Sequence, residues 1–212
     1  MKKEKINKID KLFVDDQKRI VMSNPSIKKM KEYLKKKGGS KSEIEEVISK
    51  LKKYSLLDED EIIKGVISYS DLKHYGYNKI ISMLKQREID ESKISKLLKD
   101  ESRENKESKE LLKSLIKRYK GRSVVNLKRS IYSALIRYGY DENIANIRVN
   151  EVYISHSEEI NVLILECNKL ISSYSRKLDN KIEVKEKIIS KLLTKGYKYQ
   201  DIRKVIDKYE MD

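Results

Sequence analysis

The sequence predicts an all-α protein built from tandem three-helix repeats. Three observations support this fold class: the composition, an apolar spacing that recurs four times, and glycines placed where the apolar stripes stop. Charged residues make up 39% of the 212 residues and hydrophobic residues 38%. This balance is too charged for a membrane-embedded protein and too apolar for a fully disordered chain.

The recurring spacing is centred on four turn positions, which lie 50, 51 and 57 residues apart: Gly38, Glu88, Gly139 and Gly196. Apolar residues stand eight and four residues before each one, as Met30/Leu34, Ile80/Leu84, Ile131/Leu135 and Ile188/Leu192. The stripe resumes six residues after the turn at Ile44, Ile94 and Ile202, whereas Ile144 and Ile147 come one residue early in the third copy. Because steps of three and four share one helix face, each copy predicts two helices joined at the turn.

A further helix is expected ahead of the later pairs, over Asp58 to Ser70, Ser108 to Tyr119 and Glu158 to Tyr174. We therefore expect four repeats: repeat 1 at residues 1–57 with an N-terminal extension, repeat 2 at 58–100, repeat 3 at 101–157 and repeat 4 at 158–212. Residues 101–109 contain no apolar side chain. This stretch predicts a solvated linker or a helix extension at the start of repeat 3.

The turn positions predict how the helices end. Glycine adopts the left-handed conformation of a helix C-terminus without a Cβ penalty, which suits Gly139 and Gly196. Glu88 breaks the pattern, so repeat 2 is expected to close its helix differently.

Charge is the clearest pointer to function. The 49 basic and 34 acidic residues give a net charge of +15, which makes polyanions plausible partners. A/T-rich codon usage is an equally acceptable source of the total, because 39 of the basic residues are lysine. Arginine is not explained in that way, and six of the ten arginines lie in repeat 3.

The strongest basic segment runs between Glu110 and Asp141 and contains no acidic residue. Its cations include Lys117, Arg118, Arg122, Lys128, Arg129 and Arg137, interleaved with Tyr119, Tyr132, Tyr138 and Tyr140. The planar arginine fork binds phosphate or carboxylate with two hydrogen bonds. The segment therefore predicts a surface for a polyanion or an acidic partner, although such tyrosines are more often packing residues than base-stacking ones.

No pattern in the sequence indicates catalysis, a metal or a cofactor. His74 and His156 lack ligand spacing, and the single Cys167 lies in an apolar helix run and excludes an intramolecular disulfide. No apolar run approaches the ~18 residues of a membrane span, and the N-terminus is charged. We expect a non-enzymatic, soluble, cytoplasmic protein that does not bind membranes.

Four segments together resemble the RecX family of bacterial RecA recombinase regulators. Residues 26–38 (SIKKMKEYLKKKG) are similar to the first-repeat pattern S-x-x-E-L-x-x-K-L-x-x-K-G, and residues 54–60 (YSLLDED) to the block G-L-L-D-D-E. Residues 73–89 resemble K-G-x-G-x-x-x-I-x-x-x-L-x-x-x-G-I, and residues 192–202 resemble the closing L-x-x-R-G-[FY]-x-x-x-x-I. The chain departs from the family where Glu88 replaces a glycine, Gly39 replaces an aromatic residue and Ile62-Ile63 replaces F-A.

The resemblance covers residues 24–208 and implies an elongated, curved array that binds the RecA filament on single-stranded DNA. It implies modulation of filament growth, ATPase and strand exchange by a monomer, in recombination, DNA repair and the SOS response. Inhibition is the expected direction, and stabilisation of the filament stays open as the alternative. The expected contacts with the filament or with DNA phosphate are the six cations of the basic segment, followed by Lys73, Tyr77, Lys79 and Arg87. Two alternatives stay open: a direct DNA-binding module of helix-turn-helix type, for single- or double-stranded DNA, and a purely structural repeat protein.

Overall fold

In the computed structural model, residues 25–176 and 180–209 are described; the predicted N-terminal extension lies outside them. The described residues form eleven α-helices and no strand, which confirms the all-α prediction. The helices are α1 (Ile27–Lys36), α2 (Lys41–Lys53), α3 (Glu59–Leu72), α4 (Tyr77–Gln86), α5 (Glu91–Ile94), α6 (Glu101–Arg118), α7 (Val124–Arg137), α8 (Glu142–Asn150), α9 (His156–Tyr174), α10 (Lys181–Thr194) and α11 (Tyr199–Tyr209).

The chain divides into two compact units, residues 1–104 and 105–212. In the first unit, α1 and α2 enclose one apolar cluster around Leu34 and Leu51, and α3 to α5 enclose another around Leu84. In the second unit, one cluster surrounds Leu135 and another surrounds Leu192. Each repeat thus has its own small core, built from the apolar stripe that its sequence predicts.

The same backbone turn follows α1, α4, α7 and α10. The four turn positions all have positive φ, at 82° for Gly38, 60° for Glu88, 92° for Gly139 and 84° for Gly196. In repeat 2 the Glu88 amide donates to the Lys85 carbonyl (2.9 Å) and the Ile89 amide to the Leu84 carbonyl (3.2 Å). This pair of bonds defines a Schellman motif and recurs in the other three turns. The expectation that repeat 2 closes its helix differently is therefore wrong.

The register of repeat 3 also differs from the prediction. Ala145 and Arg148 stand six and nine residues after Gly139 and are buried, whereas Ile144 is only half-buried and Ile147 is 52% exposed. Arg148 is 3% exposed and donates to the Glu151 carboxylate and the Asn105 side-chain oxygen. The spacing of repeat 3 is therefore the same as in the other repeats, but an alanine and a hydrogen-bonded arginine occupy the core positions.

Residues 101–109 are the first half of α6 and do not form a linker. Their polar side chains are buried in part: Glu104 is 1% exposed and Ser108 is fully buried. Both side chains form hydrogen bonds, Ser108 as a donor to the Asn105 carbonyl (3.1 Å) and Glu104 as an acceptor from the Tyr77 amide. Hydrogen bonding makes this burial acceptable without any apolar residue.

Consecutive repeats are joined by glutamates at the start of the first helix of the later repeat. The Glu59 carboxylate accepts from the Ile27 amide at the start of α1 (2.9 Å), and the Glu159 carboxylate accepts from the Val124 amide at the start of α7 (3.1 Å). Glu104 does the same for α4. A carboxylate suits a helix N-terminus because the first amides have no intrahelical acceptor and carry partial positive charge.

Candidate partner-binding surface

Six of the predicted contact residues lie at the end of α6, in the following loop and on α7. Lys117 and Arg118 belong to the last turn of α6, and Arg122 lies in the loop. Lys128, Arg129 and Arg137 lie on α7. Lys128 is half-buried and the other five are exposed, so most of this basic group is accessible.

The packing of α7 determines which of its cations point outward. Leu127, Ile131 and Leu135 are buried at steps of four and turn one face of α7 into the core of repeat 3. Arg129 and Arg137 are eight residues apart, which is about 80° around the helix, and both point away from that core. Both are therefore exposed on the solvent side of α7.

Arg118, at the end of α6, contacts the tyrosine that ends the next helix, α7. Its guanidinium hydrogen-bonds with Tyr138, the C-cap residue of α7, and this bond raises the pKa of Arg118 above its ordinary value. Arg118 itself remains exposed.

Arg122 is fixed in a similar way. Its guanidinium lies 4.6 Å from the ring centroid of Tyr119, and its Nη1 donates to Ser130 Oγ at 2.6 Å. Cation–π and hydrogen-bond contacts of this kind lower the entropy that an arginine loses when it binds a partner. The tyrosines of the basic segment contact the core of repeat 3, with Tyr119, Tyr132 and Tyr138 partly buried and Tyr140 buried, so they act as packing residues.

The second group of predicted contact residues lies in repeat 2: Lys73, Tyr77, Lys79 and Arg87. Tyr77 differs from the other three because its polar groups are used inside the protein. Its hydroxyl donates to the Leu97 carbonyl (2.9 Å) and its amide to Glu104, and the side chain is half-buried. The first bond connects α4 to the segment between α5 and α6, and the second connects the start of α4 to the first turn of α6. Tyr77 therefore contributes to the packing of repeat 2.

The lysines of this second group lie against two tyrosines that the sequence prediction did not include. Lys73 Nζ is 5.9 Å from the ring centroid of Tyr69, and Lys79 Nζ is 5.8 Å from that of Tyr75. The two rings meet edge to face, with centroids 6.2 Å apart. Tyr69 comes four residues before Lys73 and Tyr75 four before Lys79, a spacing that was a usable signal.

Arg87, the C-cap residue of α4, is exposed and borders a groove of about 320 Å³ between α3 and α4. Tyr69 and Met83 line the same groove. The second group thus combines cations with accessible aromatic and apolar surface.

Neither the histidines nor the cysteine gather into a reactive site. His156 Nε2 lies 3.7 Å from Asp201 Oδ1, and His74 occupies a positive-φ turn position after α3. Cys167 is buried in repeat 4, and burial raises the pKa of its thiol. Within the described residues, no three acidic, histidine or cysteine side chains are grouped to hold a metal ion. The described helices also include none with the length and apolar character that crossing a bilayer requires.

Comparison with known proteins identifies relatives along most of the chain. The regulatory protein RecX of Streptococcus pneumoniae serotype 19F is 25% identical over 186 residues, which are 86% of this chain and 71% of the relative. RecX of another Streptococcus pneumoniae strain is 26% identical over the same coverage. RecX of Streptococcus agalactiae serotype Ia is 30% identical over 98 residues, 45% of this chain and 38% of the relative.

No family model and no solved structure matches the chain. The relatives share one name, and their similarity extends across repeats whose turns and cores the structure shows to be equivalent. The resemblance predicted from the sequence is thereby confirmed: the chain is similar to regulatory proteins RecX over most of its length.

Proposed function

We propose that this protein is a non-enzymatic regulator of the RecA recombinase. In this proposal it binds, as a cytoplasmic monomer, to the RecA filament on single-stranded DNA and limits filament growth, ATPase and strand exchange. The observation that carries the proposal is the similarity to regulatory proteins RecX over 186 residues.

The α6–α7 basic group, which consists of the six cations Lys117, Arg118, Arg122, Lys128, Arg129 and Arg137, provides a surface for docking. No acidic residue occurs between Glu110 and Asp141, so the cations of this segment are not neutralised by sequence neighbours. Arg118 and Arg122 are exposed yet already held by Tyr138 and by Ser130. Such arginines suit a carboxylate surface of the recombinase or DNA phosphate exposed in the filament groove.

The tandem repeats fit a polymeric partner. Because repeats follow one another in a single chain, different repeats are able to contact successive recombinase protomers. Two such contacts in one chain bind more tightly than either alone, since the second is intramolecular. Filament capping by this route requires no catalytic residue.

The test is the ATPase of a bacterial recombinase on single-stranded DNA, measured as this protein is titrated in at fixed salt. We expect the ATPase to fall at substoichiometric protein, because one molecule at a growing end blocks further addition. Replacing Arg118, Arg122 and Arg129 by glutamate should raise the protein concentration required for half-inhibition by at least about tenfold, the effect of ~1.4 kcal/mol of lost binding.

A matched control reverses three exposed lysines of repeat 4, Lys169, Lys191 and Lys204, and changes the net charge equally. This control should inhibit like the wild type, and thermal unfolding should show that both variants fold. DNA binding by the protein alone is measured in parallel. An unchanged ATPase together with tight DNA binding, falling with salt by about 0.9 log units per log unit for each phosphate contact, would establish the helix-turn-helix alternative instead.

A further inference from the structure

Repeat 1 lacks a side chain at one position where the other three repeats bury one. The residue that follows the turn position is a buried bulky side chain in the other three repeats: Ile89 is 5% exposed, Tyr140 2% and Tyr197 4%. In a Schellman turn this residue packs back onto the last turn of the helix. Repeat 1 has Gly39 there, so it makes the turn without the side chain that accompanies it elsewhere.

A groove of about 360 Å³ lies at this place, between α1 and α2. Gly39 and Ile44 form its apolar part, and the rest of its lining is charged: Lys31, Glu32, Lys35, Lys41 and Glu45. Lysine stems add apolar wall to such a groove while their ammonium groups stay in water. We call it the Gly39 groove.

The surroundings of the Gly39 groove are basic on balance, with three lysines and two glutamates in its lining. Lys31 is paired with Glu45 at 2.6 Å, and the hydrogen bond from Lys31 is the main reason why the pKa of Glu45 is lowered. From residue 33 to residue 42 the chain contains four lysines and no acidic residue. Because Lys31 is paired with Glu45, the rim of the groove carries Lys35 and Lys41 against Glu32. This excess of positive charge favours carboxylates beside a side chain that is inserted over the apolar floor.

We propose that the Gly39 groove receives an aromatic side chain of the recombinase filament, from a segment that carries carboxylates next to that side chain. The proposal rests on the proposed function for the identity of the partner. Two of the other three repeats bury an aromatic side chain at this position, Tyr140 and Tyr197, and in this proposal repeat 1 takes one from the partner. Aromatic anchors in apolar pockets are the contacts that typically dominate protein interfaces.

The first test fills the groove from within by Gly39→Tyr. The φ of Gly39 lies outside the left-handed region, so tyrosine is compatible with the backbone, and the added Cβ would lie 3.2 Å from Ile44 Cγ1 and from the Leu34 carbonyl oxygen. These distances require a shift of a few tenths of an ångström. Fluorescence anisotropy of the labelled full-length protein on filaments assembled on single-stranded DNA should show a Kd about tenfold weaker, the loss of one anchor.

The second test leaves the groove open and reverses its rim by Lys35→Glu with Lys41→Glu. We expect a Kd about tenfold weaker at low salt, with a smaller effect at high salt because of screening. The matched control, Lys36→Glu with Lys53→Glu, changes the same net charge on exposed positions of repeat 1 that do not line the groove. Asn168→Tyr, at an exposed position of α9, controls for the addition of a tyrosine.

Thermal unfolding shows whether Gly39→Tyr folds. If it does not fold, the rim variant, Lys35→Glu with Lys41→Glu, tests the inference by itself. Wild-type affinity in the rim variant would overturn the inference and leave the proposed function standing. Equal losses in the rim variant and its control would also overturn it, because charge alone would then explain the binding. A wild-type protein that does not bind the filament would overturn the proposed function and this inference together.

Discussion

The junction between repeats 1 and 2 and the junction between repeats 3 and 4 hold equivalent helices together through different contacts. In each, the turn after the second helix of the later repeat (α4 or α10) lies against the start of the corresponding helix of the earlier repeat (α1 or α7). Repeats 1 and 2 meet through charge, with Lys28 Nζ 3.5 Å from Glu88 Oε2 and Lys29 Nζ donating to the Gln86 carbonyl. Repeats 3 and 4 meet through close packing, with Val125 against Gly196, and through a neutral hydrogen bond from Ser123 Oγ to the Lys195 carbonyl.

The difference shows what the turn glycine is for. Glu88 and Gly196 have the same backbone conformation and the same pair of hydrogen bonds, so the turn does not require glycine. A left-handed residue with a Cβ costs roughly 1–2 kcal/mol, which Glu88 tolerates. At Gly196 a Cβ would lie 2.7 Å from Val125 Cβ, so glycine is required there by the neighbouring repeat as well.

The largest expected effect of this difference comes from Gly196→Ala. The substitution adds the left-handed strain and the clash with Val125, and we expect a loss of about 2–4 kcal/mol in the free energy of unfolding. Urea unfolding at equilibrium measures it. In a Val125→Ala background the same substitution should cost only about 1–2 kcal/mol, because the clash is removed and the strain remains.

Gly121→Ala is the matched control for this prediction. Gly121 has a φ of 83°, but no heavy atom lies within 4 Å of the position of its added Cβ. It should therefore show the strain alone, about 1–2 kcal/mol. Equal losses for Gly121→Ala and Gly196→Ala would mean that Val125 moves aside freely and that the close packing of repeats 3 and 4 is not specific.

The junctions also mark the limit of prediction from the sequence. The turn positions and the residues four and eight before them could be found, because they are local and periodic. Glu59 and Glu159 could not, because the amides they bind are 32 and 35 residues away and any exposed-looking glutamate is a candidate. Arg148 was missed because an arginine at a core position has no apolar signature.

The same limit applies to the candidate surface. Runs of basic residues without acidic neighbours are visible in a sequence, and five of the six cations of the α6–α7 group are exposed. The sequence does not show which aromatic residue is used internally, since that depends on a distant acceptor. Tyr77 is the example, because its hydroxyl binds a carbonyl twenty residues further along.

A smaller effect is expected at the glutamates that join the repeats. Glu104 is 1% exposed and lies 3.4 Å from Lys99 Nζ, whereas Glu159 is half-buried. Glu104→Gln keeps the shape but replaces the carboxylate at the start of α4 with a neutral amide. We expect a loss of about 1–2 kcal/mol in the free energy of unfolding, and about half of that for Glu159→Gln, because a helix N-terminus and a charged donor both favour a buried carboxylate.

Glu101→Gln, on the exposed first turn of α6, is the control for the loss of one negative charge and should be nearly neutral. Chemical denaturation of the three variants at one pH and ionic strength makes the comparison. Equal stabilities for Glu104→Gln and Glu101→Gln would show that the junction depends on packing and not on the carboxylate.

The smallest effect, and the one of opposite sign, is expected at Glu88. Glu88→Gly removes the roughly 1–2 kcal/mol strain of the left-handed Cβ and also removes the contact with Lys28, which as a partly exposed pair contributes about 0–1 kcal/mol. We therefore expect a gain of roughly 0.5–1 kcal/mol in the free energy of unfolding, measured by thermal unfolding.

Glu88→Ala separates the two contributions, because it keeps the Cβ and loses only the ion pair. The stability order should be Gly, then Glu, then Ala at low salt, and Glu and Ala should become equal near 1 M salt, where the screening length is about 3 Å. A loss of stability in Glu88→Gly would instead mean that the Lys28 contact exceeds the strain, and that charge at this junction is as strong as the close packing at the other.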